Sequence, residues 1–439
     1  MSLDLGYRLY RHKAAEEVSM YKSFKNRLDL TVEQESLFGR VDGCCRKVYN
    51  HFLAYRNKMY DKHGLVYTLN DYSKNLSWMK SDPETSYLKE PDSTILQQKL
   101  RDLDKAYKNY FESKAGKRAG DEVGLPKFKS KHGSRKSFRV ANVTVSIRIQ
   151  DGKLRLGKLG FFKVCNSKKR FKQFESYKIV SATVSKDSDG HWYVSVLCEV
   201  DENQVKNHVV TNTNRVNGLD LGVKTSVKDS YNIDFNIPER VFKLKAKLAK
   251  EQEKLSRMRG PKRKKNILPS FRYRRQKLKV GKLHFKIKSI RKDWQHKLAI
   301  QLIKDYDIIV METLDIQAMS EATGEHKKDF NDEVLTNAWY QLKTFIKYKA
   351  EWYGKSLIEV DKYFPSTKLC SHCGRKNAIT ISMREYICGG CNTHHDRDHN
   401  AAKNLWLVGW YYQLTGKVLD TYKDLLITVI PAAKTAGII

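Results

Sequence analysis

Between Cys388 and Leu405 the chain reads CGGCNTHHDRDHNAAKNL, with two cysteines, three histidines and two aspartates in eighteen residues. Cys388 and Cys391 repeat the spacing of Cys370 and Cys373, and fourteen residues, Gly374 to Ile387, separate the two pairs. Four thiolates so spaced close a tetrahedral zinc site, and the gap has room for a short hairpin. A redox role for one C-x-x-C pair is the rival reading, and the second pair argues against it. Four sulfurs complete the shell, so His372, His394 and His395 are expected to face solvent or nucleic acid rather than the metal.

Three carboxylates carry a different chemistry. In VNGLDLGV, read as a strand, Leu219, Leu221 and Val223 share one face, and Gly218, Asp220 and Gly222 share the other. A carboxylate between two glycines suggests an open floor on which a metal ion and a phosphate can approach; an edge-strand aspartate in water is the alternative. Glu312 ends the apolar run Ile308 to Met311. Asp398 opens the helical stretch HNAAKNLW, with Asp396 two residues earlier. Either aspartate can cap that helix or bind metal, and spacing does not choose between them. In this order along an α/β segment, the acids form the pattern of a two-metal nuclease. Two divalent ions about 4 Å apart stabilise the entering and leaving oxygens of a phosphodiester. Hard oxygen ligands suit Mg²⁺, with Mn²⁺ able to substitute.

The rest of the chain must position these groups on a polyanion. Its 439 residues hold 83 Lys plus Arg against 49 Asp plus Glu, a net charge of +34. So large a surplus points to nucleic acid, since a compact chain alone would repel itself. No stretch approaches the ~18 apolar residues that span a bilayer, so no membrane partner is expected. Leu425 to Ala433, the best apolar tract, reads as a packed tail segment. No basic start leads into an apolar leader, so the four remaining cysteines (Cys44, Cys45, Cys165 and Cys198) read as reduced, buried thiols.

Periodicity divides the chain into segments of distinct texture. Residues 1–30 form an N-terminal extension and a first strand, and Thr31 with Gln34 makes a capping box that opens a helix. Residues 31–119 are helical. Residues 120–212 alternate with period two around Asp151-Gly152 and Asp189-Gly190, as in the hairpins of a small β-barrel. Residues 213–365 are mixed α/β, 366–395 hold the cysteines, and 396–439 the closing helix and tail. The fold class is therefore multidomain α+β. From Arg240 to Lys297 there are 23 basic and three acidic residues. Lys262, Arg263, Lys264, Lys265, Arg272, Arg274 and Arg275 are its candidate nucleic-acid contacts. Trp192, Tyr193 and Trp339 are candidate stacking platforms, although most of the 7 Trp, 24 Tyr and 17 Phe belong to cores.

GLDLG, IIVMETL, CSHCG with CGGC, and DRDHNAAKN, in that order, resemble the transposon-encoded TnpB proteins, relatives of Fanzor and of compact type V CRISPR effectors. GCCRKVYNHFLAYR, LPKFKSKHGSRKSFRV and YKAEWYGK are similar to TnpB segments as well. The resemblance implies an RNase H-like RuvC nuclease with an inserted zinc ribbon, and a β-barrel wedge carrying an inserted helical recognition domain. It implies a guide RNA from the transposon end and cleavage of double-stranded DNA beside a short adjacent motif. It assigns Asp220, Glu312 and Asp398 to two catalytic Mg²⁺ ions, choosing Asp398 over Asp396, and Cys370, Cys373, Cys388 and Cys391 to structural zinc. Asn392 departs from the glycine that commonly follows the last cysteine. One copy of the chain on one RNA is the expected stoichiometry, at the nucleoid in a prokaryotic cytoplasm or in a eukaryotic nucleus. The intact acidic triad argues against a cleavage-free repressor, and the large basic N-terminal half against a guide-independent resolvase or transposase.

Overall fold

The computed structural model describes residues 8–10, 20–118, 122–131, 136–143, 145–166, 171–172, 175–200, 213–222, 225–261, 268–313, 338–361, 363–380, 383–419 and 422–437. Contacts divide the chain into two units, one of Ser19–Asp201 with Glu251–Phe285, the other of Met1–Val18, Glu202–Lys250 and Lys286–Ile439. A short strand, β1 (Arg8–Tyr10), belongs to the second unit.

In the first unit, β2 (Met20–Asp29) leads into α1 (Val32–His63), which opens on the expected capping box. Thr31 Oγ1 accepts from Gln34 N, and Gln34 Oε1 accepts from Thr31 N. Helix α1 stops at Gly64, whose φ of 65° is the left-handed cap glycine adopts readily. Helices α2 (Leu69–Ser81) and α3 (Ser93–Lys114) complete the helical part. Six strands follow: β3 (Lys136–Ala141), β4 (Ile147–Gln150), β5 (Lys153–Leu156), β6 (Phe161–Val164), β7 (Lys178–Lys186) and β8 (Trp192–Val200).

These strands form one sheet, ordered β3-β7-β8-β2-β6-β5-β4, with antiparallel neighbours throughout. Asp151 and Gly152 make the expected two-residue turn, with φ of 50° and 67° between the paired Gln150 and Lys153. The sheet curls. Phe138 on β3 and Phe162 on β6 would lie about 19 Å apart on a flat sheet, yet their rings sit 5.4 and 4.8 Å from that of Phe38 on α1. Trp192 joins the same cluster, 5.3 Å from Phe38 and 2 % exposed. It is a core residue, as is Tyr193, whose hydroxyl donates to Asp189 at 2.7 Å. Neither offers a ring to a nucleic-acid base: Trp192 lies inside the curl, and Tyr193, on the opposite face, is covered by the Phe285 ring at 5.5 Å and by Lys25 Nζ at 4.5 Å.

The second unit is built on β9 (Val216–Asp220), β10 (Val227–Asp229), β11 (Asp234–Phe235), β12 (Ile308–Glu312) and β13 (Ser356–Val360). Helices α4 (Glu239–Ser256) and α5 (Phe271–Asp305) stand between β11 and β12, and α6 (Trp339–Tyr353) before β13. A two-stranded ribbon, β14 (Glu385–Ile387) with β15 (His394–Asp396), precedes α7 (Arg397–Thr415). The sheet order is β1-β13-β12-β9-β10-β11, with β9, β12 and β13 parallel and the outer strands antiparallel. The pairing of β1 with β13 was not legible in the sequence.

Apolar strands buried on both faces explain the near-continuous hydrophobic runs. Val216, Ile308, Val310, Ile358 and Val360 pack against Leu405 and Val408 of α7 and the tail residues Leu425, Val429, Ile430 and Ala433. Leu219, Ile309, Met311 and Leu357 face Leu298 and Leu302 of α5 and Leu342 and Ile346 of α6. Trp339 is 2 % exposed and donates Nε1–H to Ser226 O at 3.2 Å, so it too is core rather than a base platform. Among the described residues no helix is long and apolar enough to cross a membrane.

Candidate functional site

Strands β9 and β12 run parallel in a register that pairs Val310 with Gly218 and Met311 with Leu219. One further step sets Glu312 opposite Asp220, both at strand ends and both on the face covered by α7. Gly218 has a reason the sequence did not show. A Cβ there would meet Ala402 O at 2.1 Å and Trp406 N at 2.4 Å, so its missing side chain admits the backbone of α7. The expected open floor for a ligand is occupied by a helix. Gly409 makes the reciprocal approach, where a Cβ would lie 2.4 Å from Val216 Cγ1. Seated this closely, α7 brings its first turn to the carboxylates.

The two aspartates of that turn differ. Asp396 is the N-cap, accepting from His399 N at 2.7 Å. Asp398, inside the first turn, is held by Arg397, with Nη2 at 2.8 Å, and by Arg384, with Nη1 at 3.3 Å. Burial first, then the charges of Glu312 and Asp398, push the Asp220 carboxyl well above the usual range, while Arg397 opposes them. Burial also raises Glu312, tempered by a hydrogen bond donated by the Ser366 hydroxyl. The structure thus gathers Asp220, Glu312 and Asp398, although their oxygens do not all lie within 4.8 Å of one another. Buried acids whose neighbours make ionisation unfavourable are a donor set suited to a hard cation, whose charge removes the conflict. Ser366, Arg384 and Arg397 carried no signal of their own in the sequence.

The four cysteines do close. The Sγ atoms of Cys370, Cys373, Cys388 and Cys391 all lie within 4.8 Å of one another, with Cys370–Cys391 at 3.6 Å and Cys373–Cys388 at 3.5 Å. These are nearly the edges of a sulfur tetrahedron around an ion with metal–sulfur bonds of about 2.3 Å. Gly390 N–H points at Cys388 Sγ at 3.4 Å, and the Thr393 hydroxyl lies 3.2 Å from Cys391 Sγ. Burial would raise the Cys388 thiol, yet the N–H groups of Gly390 and Cys391 and the neighbouring thiols bring it down to about 6. Among the described residues this is the one group of three or more His, Cys, Asp or Glu side chains whose ligand atoms all lie within 4.8 Å of one another.

His394 is exposed, as expected, but His395 is not. It is 8 % exposed, and its Nε2 sits 3.0 Å from Cys370 Sγ. Burial first, then Lys403, hold it down to about 4. The ribbon turns this ring inward because side chains alternate along β15, a detail invisible without the pairing.

Two asparagines couple the cysteine cluster to the carboxylates. Asn400 accepts from Ser371 N at 2.9 Å and donates to Leu369 O at 2.7 Å. Asn404, one turn on, donates to Ser366 O at 2.7 Å and Leu369 O at 2.8 Å. Both are buried inside a helix that asparagine disfavours. Their recurrence four residues apart in NAAKN was a usable signal, and it was missed. Of the basic candidates, Arg272, Arg274 and Arg275 are exposed on the first turn of α5. Lys262, Arg263, Lys264 and Lys265 lie outside the described residues.

Comparisons with known proteins match most of the chain. Family descriptions match three stretches: "Cas12f1-like, TNB domain" over residues 339–405, "Probable transposase" over 195–323, and "Helix-turn-helix domain" over 20–64. In this chain the last stretch is strand β2 followed by the single helix α1. A Streptomyces pristinaespiralis protein named "Putative RNA-guided DNA endonuclease" is 30% identical over 390 residues, covering 88% of this chain and 89% of its own. An Escherichia coli K12 protein, "Putative RNA-guided DNA endonuclease InsQ", is 29% identical over 418 residues, with 92% and 96% covered. "CRISPR-associated endodeoxyribonuclease Cas12f1" of Sulfoacidibacillus thermotolerans is 25% identical over 243 residues, 51% of this chain and 52% of that one. With a 30% identical relative matched along nearly its whole length, and the family's motifs at the strand ends, helix start and cysteine cluster, the chain belongs to the TnpB family.

Proposed function

We propose that this protein is an RNA-guided endonuclease that cuts double-stranded DNA by phosphodiester hydrolysis. The observation that carries the reading is the convergence of Asp220, Glu312 and Asp398 at one edge of the second sheet. The order β11-β10-β9-β12-β13, antiparallel and then parallel, supports an RNase H-like, RuvC-type domain. The curled sheet, with helices inserted between β2 and β3, supports a wedge domain carrying a recognition insert.

The three carboxylates would hold two Mg²⁺ or Mn²⁺ ions, whose chemistry is to activate water and stabilise charge on the entering and leaving oxygens. Ser366 orients the Glu312 carboxylate. Arg384 and Arg397 hold Asp398, and their guanidinium groups would also serve as cationic partners for a phosphate brought to the carboxylates. The cysteine cluster suits structural zinc, with His395 Nε2 in hydrogen-bond reach of Cys370 Sγ and the two asparagines transmitting its position to α7. Exposed cations such as Arg272, Arg274 and Arg275 contribute to a channel that holds nucleic acid by its backbone, with sequence read by base pairing.

The test is to express the protein with its native flanking DNA and sequence the RNA that co-purifies. Magnesium-dependent cleavage of matched DNA by that complex is then measured. One RNA species with a constant part and a variable end, directing cleavage, supports the reading. Full cleavage by RNA-free protein would replace it with a guide-independent nuclease, and guided binding without cleavage with a repressor.

A further inference from the structure

A cavity of about 490 Å³ opens between α1, α3 and the segment entering β3, lined by Asp42, Arg46, Lys99, Lys129, Lys131 and Lys136. Two of its five cations are matched. Arg46 pairs with Asp42 at 3.5 Å, and Lys99 with Asp102 at 2.8 Å. Among the described residues, no carboxylate comes within 4.0 Å of the ammonium groups of Lys129, Lys131 or Lys136.

Lys129 is the best-defined of the three. Its Nζ lies 3.7 Å from the centroid of the Tyr49 ring. Asn50 clamps its backbone from both sides, accepting from Lys129 N and donating to Lys129 O, each at 2.8 Å. Burial first, then the charge of Lys99, hold its ammonium below the usual lysine range. Its backbone is fixed while its side chain stays exposed, and Asp102 and Asp42 act on its charge only from beyond ion-pair distance, so the ammonium is open to an arriving anion. The hydroxyls of Ser130 and Ser137 stand on the same wall, and Phe128 is 60% exposed at the rim.

We propose that this cavity seats a phosphate of a nucleic-acid backbone, with Lys129 as the central contact and Lys131 and Lys136 on either side. The inference rests on the nucleic-acid-binding reading above. Ammonium groups are point charges that meet phosphate without reading bases, so the seat is blind to sequence. Guide RNA and target DNA offer the same phosphodiester, and the experiment separates them.

Full-length Lys129→Met, which keeps the stem against Tyr49, is compared with Lys129→Arg and with wild type carrying its co-purified RNA. The expected result is roughly tenfold weaker binding and a salt slope reduced by about 0.7 to 0.9. Lys129→Arg restores both, and the melting temperature of Lys129→Met stays at the wild-type value. A double variant, Lys131→Gln with Lys136→Gln, gives the same loss without disturbing the Tyr49 contact. Loss in RNA binding by the free protein identifies the guide as occupant. Normal RNA binding with weakened capture of duplex by the loaded complex identifies the target. Unchanged affinities and slopes for both nucleic acids in both variants overturn the proposal. Wild-type protein that binds neither overturns the guided-nuclease reading itself.

Discussion

Asp220 and Glu312 face one another across two parallel strands, one residue beyond the last cross-strand pair, Leu219 with Met311. Two acids in that position, with Asp398 near them, oppose each other's ionisation. The fold tolerates the arrangement because α7, seated on Gly218 and pressed through its own Gly409 against Val216 and Val310, is held by an apolar interface that does not depend on the charges.

The conflict gives the first prediction. Asp220→Asn lowers cleavage on the order of 10³-fold or more, since under the proposed two-metal reading it removes a ligand to ions that would supply several kcal/mol of transition-state stabilisation. RNA binding stays near wild type. The native carboxyl titrates above its unfolded value, so ionising it weakens the metal-free fold as pH rises through the interval. Asp220→Asn therefore melts a few degrees higher than wild type in chelator at neutral pH. Retained cleavage removes Asp220 from the site, and an unchanged or lower melting temperature refutes the electrostatic account.

Two glycines are expected to respond with opposite signs. Gly218→Ala forces a methyl against the backbone of Ala402 and Trp406, destabilising by about 1–3 kcal/mol and displacing the turn that carries Asp398. Gly39, in α1, has nothing within 4 Å of an added Cβ, so Gly39→Ala stabilises by about 0.5–1 kcal/mol. Denaturant melts compare the two, and equal effects contradict the close-approach reading.

Loss of the metal proposed for the cysteine cluster is expected to act at a distance. Cys370→Ser lowers bound zinc from about one equivalent, measured by atomic absorption, towards none. Cleavage falls further than RNA binding does, because Ser366 and Leu369 lose their fixed placement against Asn404. Equal losses in both would make the cluster a general support of the fold.

His296 sets an acid limit. Its ring stacks on Phe345 at 3.9 Å, and burial, followed by Lys349 and Lys292, holds its pKa down to about 4. The unfolded imidazole titrates near 6.5, at about the ordinary histidine value. Stability is therefore present above that value and is lost as pH falls towards 4. His296→Phe keeps a stacked ring and flattens the pH dependence of the melting temperature across this window. An unaltered slope assigns the acid sensitivity elsewhere.

Arg272, Arg274 and Arg275 are expected to act through charge alone. Replacing all three by alanine leaves the melting temperature within a degree or two and reduces the salt slope of nucleic-acid binding by about 2 to 3. A constant slope would mean this turn of α5 touches solvent only.

Chemistry dictated locally was legible. The cysteine spacing, the Thr31–Gln34 box and the Asp151-Gly152 turn depend on residues within one segment, and the structure has each where the sequence puts it. What packs against a residue was not legible. Gly218 read as an open floor and proved to be a helix seat, because the identity of its neighbour is set some 180 residues away. Trp192 and Trp339 read as platforms and are core, since their burial is set by what packs on them, the curl of the first sheet for Trp192 and the Ser226 segment for Trp339. His395 differed from His394 only by the parity of a short strand.

The sheet that carries the acids is also an ordering device in time. Asp220 and Asp398 are 178 residues apart in the chain. At typical elongation rates they leave the ribosome roughly 10 to 35 s apart. By then the whole of Ser19–Asp201 has already emerged. β1 finds its partner β13 only after some 350 residues have been made. The half-made chain has its first three helices and lacks Glu312 and Asp398, so the three carboxylates come together last.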